Sequence, residues 1–382
     1  MSRVAKPTRN PKTSNSKTRN AKRTTASSIR KSNPESQIRQ KLLKWYDLHK
    51  RSLPWRKTRN PYRIWVSEIM LQQTRVQAVL PFYERFVRLF PDVQALAAAD
   101  EQRLLACWSG LGYYSRARNL QKAAQVIVNE HGGRFPSDLQ TALRLPGIGP
   151  YTAAAVLSIA YGVPLPVLDG NVARVLARLY ALPDDPQTAR GKQIRRRLAD
   201  ALLSRRRPGD CNQAFMELGA TLCLPRQPRC RQCPLRSHCL AFRRNQVERY
   251  PAVRRKSKPV TRRFTTALAF DPAGRVLLVR RARTAEWMGG FWESPLWEGN
   301  SREGASRHQN LHRNEEPRNG IRLGSLLGHV QHTITSNRLH VAVYAARMDR
   351  RVVVPRERWV SLRQMNQLPV TTITRKALRL RH

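Results

Sequence analysis

A Gly-rich turn, Leu145-Pro-Gly-Ile-Gly-Pro150, continues into Tyr151-Thr-Ala-Ala-Ala-Val156 and is the strongest indicator of the fold. Gly147 and Gly149 allow a sharp turn of the backbone, and the apolar run after them predicts a helix. The first turn of such a helix offers free N–H groups and the positive end of the helix dipole. It can therefore bind a phosphate without Lys or Arg, although most Gly-rich turns merely join two helices.

Helices are predicted on both sides of this turn, from residue 37 to residue 245. Apolar residues recur at helical spacing in Arg39–Tyr46, Tyr62–Arg75, Val76–Phe90, Arg116–Asn129, Thr152–Tyr161 and Asn171–Leu179. Pro and Gly separate these segments. The pattern predicts a mainly α domain over residues 37–245.

The periodicity changes after a basic, proline-containing linker at residues 246–262. Three strands are predicted, the first two as a hairpin around the turn Asp271–Gly274: Phe264–Phe270, Arg275–Val279 and Leu339–Tyr344. Residues 300–320 are polar and predict a long loop. A separate α+β domain is therefore expected at residues 263–382.

The charge of the chain predicts a polyanionic partner. Lys and Arg number 71 against 25 Asp and Glu, which gives a net charge of +46. Nucleic acid is the commonest partner of so basic a protein. Residues 1–36 contain a single acidic residue and little apolar surface, so we expect a disordered basic tail. That tail is an electrostatic arm, a targeting segment or a solvated extension; no apolar run suits a membrane span or a secretory signal.

A carboxylate follows the Gly-rich turn in Val167-Leu-Asp-Gly-Asn-Val172. The ordinary interpretation of Asp169 is a helix N-cap. A carboxylate at a helix N-terminus also stays ionised, and it can then stabilise a cation that develops on a nearby sugar. The hairpin followed by Pro166-x-x-Asp169 resembles the helix-hairpin-helix glycosylase superfamily, and the resemblance implies a catalytic Asp169.

The string Trp65-Val-Ser-Glu-Ile-Met-Leu-Gln-Gln-Thr74 supplies a second carboxylate. Glu68 lies one helical turn from the apolar Ile64 and Leu71, so desolvation should raise its pKa and suit it to general acid catalysis. Taken alone, a Glu in a helix is more often solvated or capping. The string resembles the adenine DNA glycosylase family, in which this Glu protonates the adenine base.

This resemblance covers residues 37–290 well and implies further roles. Asn171 and Tyr151 would adjust the geometry around the two carboxylates. The adenine pocket would be formed by Arg51, Leu53, Trp55, Arg56 and Gln213. The contacts with DNA would be made by Gln73, Thr74, Tyr113, Leu145, Gly147 and Gly149. Gln73 and Tyr113 would fill the gap beside the flipped base, whereas without the resemblance an exposed helix face and core packing are the ordinary interpretations.

Four of the six cysteines follow one another as Cys223-x6-Cys230-x2-Cys233-x5-Cys239. Four thiolates bind zinc or an iron–sulfur cluster, and zinc sites usually pair two C-x-x-C units where this chain has one. In the glycosylases that the chain resembles, this spacing carries a 4Fe–4S cluster, so that cofactor is expected. The basic residues between the cysteines predict a loop that docks on DNA; a purely structural staple is the alternative.

Tyr151 bears on the type of reaction. Relatives of the endonuclease III type, which also cut the DNA backbone, carry a Lys here that attacks the sugar as an amine. A tyrosine cannot form a Schiff base. The sequence therefore predicts a monofunctional glycosylase that leaves an abasic site.

The C-terminal domain resembles the Nudix-like domain of the family, which helps to recognise 8-oxoguanine. The resemblance lies in Leu277–Arg281 and Trp287–Trp292, and the acidic Nudix box is missing, so the domain should be catalytically inert. The Phe-Ser-His of the family's lesion loop is replaced within His332–Arg338. Thr335 and Ser336 are the expected lesion contacts, and the sequence leaves the strength of 8-oxoguanine preference open.

The expected architecture is a mainly α helix-hairpin-helix glycosylase core with a 4Fe–4S cluster subdomain at residues 223–239, followed by a C-terminal α+β Nudix-like domain. The expected reaction is release of adenine opposite 8-oxoguanine or guanine in base excision repair. Alternatives are an endonuclease III-like pyrimidine-damage glycosylase and lyase, a non-catalytic DNA-binding relative, and an electron carrier. The expected partners of this monomer are mispaired double-stranded DNA and downstream repair proteins, at the nucleoid of a cytoplasm or in a nucleus, with no membrane.

Overall fold

The structure, a computed structural model, describes residues 33–252, 259–299, 320–348 and 356–381. Residues 1–32 of the predicted tail and 300–319 of the predicted loop lie outside the described residues. We call residues 33–252 the helical domain and residues 259–381 the C-terminal domain. Within the described ranges, no helix is both long enough and apolar enough to cross a bilayer.

The helices are α1 (Pro34–His49), α2 (Pro61–Leu71), α3 (Val76–Leu89), α4 (Val93–Ala97), α5 (Glu101–Trp108), α6 (Ser115–Glu130), α7 (Leu139–Arg144), α8 (Pro150–Ala160), α9 (Gly170–Leu179), α10 (Ala189–Leu202), α11 (Pro208–Thr221), α12 (Leu240–Arg243) and α13 (Thr372–Ala377). The strands are β1 (Val260–Ala269), β2 (Val276–Arg280), β3 (Trp292–Glu293), β4 (Leu296–Glu298), β5 (Ile321–Ile334), β6 (Asn337–Met348) and β7 (Glu357–Val360). Every predicted helical segment falls largely within a helix of the structure.

Two helix ends differ from the prediction. Helix α1 begins at Pro34, inside the predicted tail, because Asn33 caps it and accepts from the backbone N–H of Glu35. Helix α2 ends at Leu71 rather than Arg75, because Gln72 leaves the helical conformation with a ψ of 117° and Gln73 then takes a left-handed φ of 57°. The side chain of Arg116, on α6, donates to the backbone carbonyls of Ile69, Met70 and Gln72 at this end of α2.

The helical domain has two large hydrophobic cores. One is built mainly from α2, α3, α5, α6 and α8, and the other from α1, α9, α10 and α11. Helix α2 packs on α8, and α11 packs on both α8 and α9. The two halves therefore meet along α8 and α11, and side chains from distant parts of the sequence converge there.

The predicted hairpin at residues 264–279 is wrong. Strand β1 pairs with β6 and β4 in a sheet of order β4-β1-β6-β5, whereas β2 lies in a separate sheet of order β3-β2-β7. Only one bridge, Phe270 to Val276, joins them around the predicted turn. The inner half of β1 and most of β2 are buried without alternation, which is typical of strands flanked on both sides rather than of a solvated hairpin. Strand β1 also begins at Val260, inside the predicted linker.

The two domains share part of one core. The ring of Phe291, from the C-terminal domain, is fully buried among the side chains of the first helical core. Its centroid lies 4.2 Å from that of Tyr114, and the indole N–H of Trp292 donates to Gln102 Oε1 at 3.1 Å. Arg118 of α6 donates to the carbonyl of Gly289. The C-terminal domain is thus packed directly against the loop that carries Tyr113.

Candidate active site

A cavity of about 1000 Å³ opens where the two helical cores meet. It is lined by residues from α2, α8, α11 and the loop before α9. All of the predicted catalytic and adenine-pocket residues lie on its wall: Glu68, Tyr151, Asp169, Asn171, Arg51, Leu53, Trp55, Arg56 and Gln213. Gln73, Thr74 and Gly149 line it as well. The fold therefore brings together positions that are far apart in the sequence.

Glu68 is the buried carboxylate of this cavity. Helix α2 begins at Pro61, which suits the first turn of a helix, and Asn60 caps it. The neighbours of Glu68 on α2 are buried and, apart from Ser67, apolar. The side chain of Glu68 is 4% exposed. Burial, with a further contribution from the charge of Asp169, raises the pKa of Glu68 to about 7, against the opposing effects of the Tyr151 hydrogen bond and of Arg56. A carboxyl group with this pKa can carry a proton near neutral pH.

Tyr151 fixes the orientation of Glu68. It lies in the first turn of α8, directly after the Gly-rich hairpin, and its hydroxyl donates to Glu68 Oε2 at 2.5 Å. Burial and the neighbouring carboxylates raise the pKa of Tyr151 well above its ordinary value. The phenol therefore keeps its proton and acts as a hydrogen-bond donor to the carboxylate.

Asp169 is both the N-cap of α9 and part of the cavity wall. Its Oδ1 accepts from the N–H of Val172 at 2.7 Å, and its Oδ2 accepts from Asn171 Nδ2 at 2.9 Å. Burial raises the pKa of Asp169, while these two hydrogen bonds and the charge of Arg174 act in the opposite direction. The donors hold the carboxylate with its oxygens fixed at the edge of the cavity.

Glu217, which the sequence analysis missed, organises the predicted adenine pocket. It accepts from Arg51 at 2.7 Å through each of two nitrogens and from Arg56 at 2.8 Å. Burial opposes its ionisation, but the hydrogen bonds and charges of the two arginines prevail and lower the pKa of Glu217 to about 2. Arg51 and Arg56 are therefore held against the cavity wall as members of an ion-paired triad.

The two predicted wedge residues lie on turns that one arginine joins. Gln73 and Tyr113 have left-handed φ values of 57° and 48°, and the side chain of Tyr113 is 43% exposed. Arg116 donates to the carbonyls of Ile69 at 2.8 Å and Gln72 at 2.5 Å on one side. On the other side it reaches the carbonyls of the loop that carries Tyr113, at Leu111 and Gly112. Arg116, which the sequence analysis also missed, thus sets the distance between the two turns.

We expect Arg116→Met to slow adenine release about 10²-fold, because the wedge turns lose their common donor and their positions relax. Arg116→Lys should be slowed as well, since one ammonium group cannot replace the planar fork of donors. Single-turnover excision under enzyme excess measures both effects. Arg88→Met, an exposed arginine of α3, is the matched control and should stay within twofold of wild type in the same assay. Equal rates for Arg116→Met and wild type would contradict this role.

The Gly-rich hairpin has the geometry that its sequence predicts. Gly147 has a φ of 74°, and a Cβ added there would lie 2.6 Å from Asn119 Cβ, so only glycine fits. Gly149 precedes α8 as its N-cap and offers no side chain to the first N–H groups, which leaves them available to a ligand. The side chain of Leu145 is buried in the core, so the predicted contact of this residue with DNA falls to its backbone and stays a prediction.

The predicted lesion contacts lie apart from the cavity. Thr335 and Ser336 form the exposed turn between β5 and β6, and Thr335 has a left-handed φ of 51°. The hydroxyl of Thr335 donates to the carbonyl of Ile334 at 2.8 Å. His332 is half-buried, and burial lowers its pKa. Neither residue of the turn lines the cavity that holds Glu68.

The four clustered cysteines follow α11 and are free thiols. Cys223, Cys233 and Cys239 pack against the second core. The buried guanidinium of Arg178 donates to Cys223 Sγ at 3.4 Å and to the carbonyl of Leu224 at 2.6 Å. Among the described residues, no group of three or more His, Cys, Asp or Glu side chains is close enough to hold a metal ion.

Comparison with known proteins agrees with this geometry. Residues 66–201 match the HhH-GPD superfamily of base excision DNA repair proteins, and residues 265–380 match the NUDIX domain. The adenine DNA glycosylase of Homo sapiens is 34% identical over 403 residues, which cover 90% of this chain and 73% of the human protein. That of Mus musculus is 35% identical over 400 residues, covering 90% of this chain and 77% of the mouse protein.

A solved thermostable thymine-DNA glycosylase superposes with a TM-score of 0.51 at 28% sequence identity, covering 55% of this chain and 97% of that one. The chain is thus a base excision DNA repair protein of the HhH-GPD superfamily with an added Nudix-like domain. Within that class it belongs to the adenine DNA glycosylase family. These findings confirm the predicted fold class and the resemblance stated from the sequence.

Proposed function

We propose that this chain releases adenine from double-stranded DNA as a monofunctional glycosylase, acting on adenine opposite 8-oxoguanine or guanine. The observation that carries the proposal is the pair of carboxylates on one cavity wall, with a pKa of about 7 at Glu68 and with Asp169 held by backbone and amide donors. The cavity of about 1000 Å³ is large enough for a flipped nucleoside. The family of the chain supplies the identity of the base.

The chemistry follows from the two carboxylates. Glu68 in its acid form donates a proton to a ring nitrogen of the flipped adenine, which makes the base a better leaving group. The bond from C1′ to the base breaks, its electron pair leaves with the adenine, and positive charge develops on the sugar. The carboxylate of Asp169 stabilises that cation. Glu68, now ionised, accepts a proton from the water whose oxygen adds to C1′.

Tyr151 supports the monofunctional part of the proposal. It occupies the start of α8 beside Glu68, and its hydroxyl is engaged by that carboxylate at 2.5 Å. A phenol held in this way offers no amine to the sugar, so no Schiff base forms at this position. The product is therefore an abasic site in an intact strand. Downstream repair proteins would process that site at the nucleoid or in the nucleus.

We also propose that Cys223, Cys230, Cys233 and Cys239 hold a 4Fe–4S cluster. The donor set fits in chemical kind, because four free thiols lie within residues 223–239 and the guanidinium of Arg178 donates to Cys223 Sγ. The four thiols are not grouped around one point among the described residues, so binding of the cluster would draw them together. When bound, the cluster would cross-link the loop after α11 and supply a redox-active centre. Arg174 bonds both Asn171 Oδ1 and the carbonyl of Cys223 at 2.8 Å, so the loop is also tied to the cavity. Purified protein should contain four iron and four sulfide per chain; zinc in their place would contradict this assignment.

The test of the reaction is single-turnover cleavage of three duplexes, carrying adenine opposite 8-oxoguanine, adenine opposite guanine, or thymine glycol opposite adenine. Products are analysed with and without hot alkali. We expect release of adenine from the first two, with strand breaks only after alkali. Cutting of the thymine glycol duplex alone, without alkali, would move the chain to the endonuclease III type. The ratio of the first two rates measures the preference of the protein for 8-oxoguanine over guanine.

The pKa of Glu68 predicts how excision depends on pH. The acid form is the active one, so the rate constant should be level below pH 7 and should fall about tenfold per pH unit above it. Tyr151→Phe removes a hydrogen bond that lowers this pKa, so the inflection should move to higher pH. A pH–rate profile under enzyme excess measures both, and a rate that rises through pH 7 would exclude Glu68 as the acid.

A further inference from the structure

A second cavity, of about 470 Å³, lies between the two domains. Arg85, Ser109 and Gly110 line it from the helical domain. From the C-terminal domain, the cations Arg375, Lys376 and Arg379 of α13 and the turn after it line it. This cavity is separate from the one that holds Glu68.

The charges around the second cavity are all of one sign. No carboxylate of the described residues lines it. None of its four cations forms a salt bridge with a described residue. Arg85 and Lys376 each donate to one carbonyl, of Cys107 and Gln331, and Arg375 donates to that of Met365. Each cation therefore keeps donors free, and a bound anion would offset repulsion between the domains.

The second cavity lies near two features that are predicted to contact the base opposite the adenine: the wedge residue Tyr113 and the turn of Thr335 and Ser336. Gly110 belongs to the loop that carries Tyr113, the predicted wedge. Lys376 bonds the carbonyl of Gln331 in β5, the strand that ends at the turn of Thr335 and Ser336. The cavity thus borders the loop that carries Tyr113, and one of its cations is bonded to the strand that leads to the turn of Thr335 and Ser336.

We propose that this cavity binds one backbone phosphate of the DNA strand that carries the base opposite the excised adenine. The proposal rests on the proposed function, since it needs Tyr113 and the lesion turn to face that base. Guanidinium groups from both domains surround the phosphate, and Arg is the side chain best suited to its oxygens. Binding of this phosphate joins the two domains on one strand and fixes the register of that strand against the wedge.

The experiment uses a duplex with 2′-fluoro-2′-deoxyadenosine opposite 8-oxoguanine, which is bound but not cleaved. Single phosphates of the opposite strand are replaced in turn by neutral methylphosphonates, and the Kd of the full-length protein is measured for each duplex. We expect one position to weaken wild-type binding about tenfold. Arg85→Ser/Arg379→Ser should bind the unmodified duplex about tenfold more weakly and should be insensitive to the methylphosphonate at that position.

The controls separate this site from general basic charge. Arg196→Ser/Arg197→Ser on the exposed surface of α10 removes the same charge and should keep the wild-type sensitivity. The proposal is overturned if the methylphosphonates weaken binding of the Arg85→Ser/Arg379→Ser protein by the same factor as they weaken wild-type binding, at every position. A second result would also overturn the proposal and assign the cavity to a free anion. In that result inorganic phosphate or pyrophosphate stabilises the wild-type protein against thermal unfolding, while Arg85→Ser/Arg379→Ser binds the unmodified duplex as tightly as wild type does. Adenine release by the wild-type protein is measured in parallel. If adenine is not released but one methylphosphonate position still weakens binding, the proposed function is contradicted and the phosphate site is not.

Discussion

Glu68→Gln should abolish adenine release, with a loss of about 10³-fold or more, while the affinity for DNA changes little. The same group is proposed to protonate the base and then to accept a proton from water, so its removal affects two steps. Glutamine has the same shape, and its amide oxygen can still accept from Tyr151. It carries no transferable acid proton, so the shape of the cavity is kept but proton transfer to the adenine is lost.

Single-turnover excision and the Kd for an uncleavable duplex measure the two quantities separately. Glu84→Gln is the matched control, since Glu84 is exposed on α3 and the same substitution there should leave both quantities at the wild-type level. Full activity in Glu68→Gln would contradict the assignment of the acid. A parallel loss of affinity and rate would instead indicate a damaged cavity.

Glu217→Gln should lower the free energy of unfolding by about 3 kcal/mol, because it leaves the largely buried Arg56 and the part-exposed Arg51 without their charged partner. Glu217 is 1% exposed, and Arg56 is 11% exposed. The pKa of Glu217 is lowered to about 2, so the stabilisation is present at neutral pH and is lost as the pH falls from about 4.5 toward 2. The difference between wild type and variant should shrink over the same range.

Urea unfolding measures this change. Asp47→Asn breaks the ion pair with Arg207, whose side chains are 42% and 39% exposed, and should cost less than about 1 kcal/mol. Equal destabilisation of the two variants would show that the triad contributes no more than a surface pair. Glu217→Gln should also weaken substrate binding, since Arg51 and Arg56 line the cavity.

The sequence predicted the parts of the site that local motifs carry. Glu68, Asp169 and Tyr151 stand in short strings whose spacing sets their place on a helix or at its start, and the structure brings them onto one wall. Their roles stay predictions until the variants are measured. The Gly-rich hairpin is predictable because Gly147 occupies a backbone conformation that other residues rarely adopt.

The residues that were missed act over long distances in the sequence. Glu217 lies 166 residues from Arg51, and no local pattern distinguishes it from a solvated glutamate of a helix. Arg116 has the same difficulty, since its partners are backbone carbonyls, which a sequence does not display. The hairpin prediction failed for a related reason: β1 and β2 are joined by a tight turn, but pairing with later strands determines their sheets.

The burial of Phe291 in the helical core has a consequence for how the protein unfolds. A ring supplied by one domain to the other's interior makes the stability of each half depend on the other, so cooperativity should extend across the boundary between them. Calorimetry should then record one heat-absorption peak for the whole chain rather than two. A shorter chain that ends at residue 252 would expose the apolar surface beneath that ring, next to Tyr114, and would be prone to aggregate.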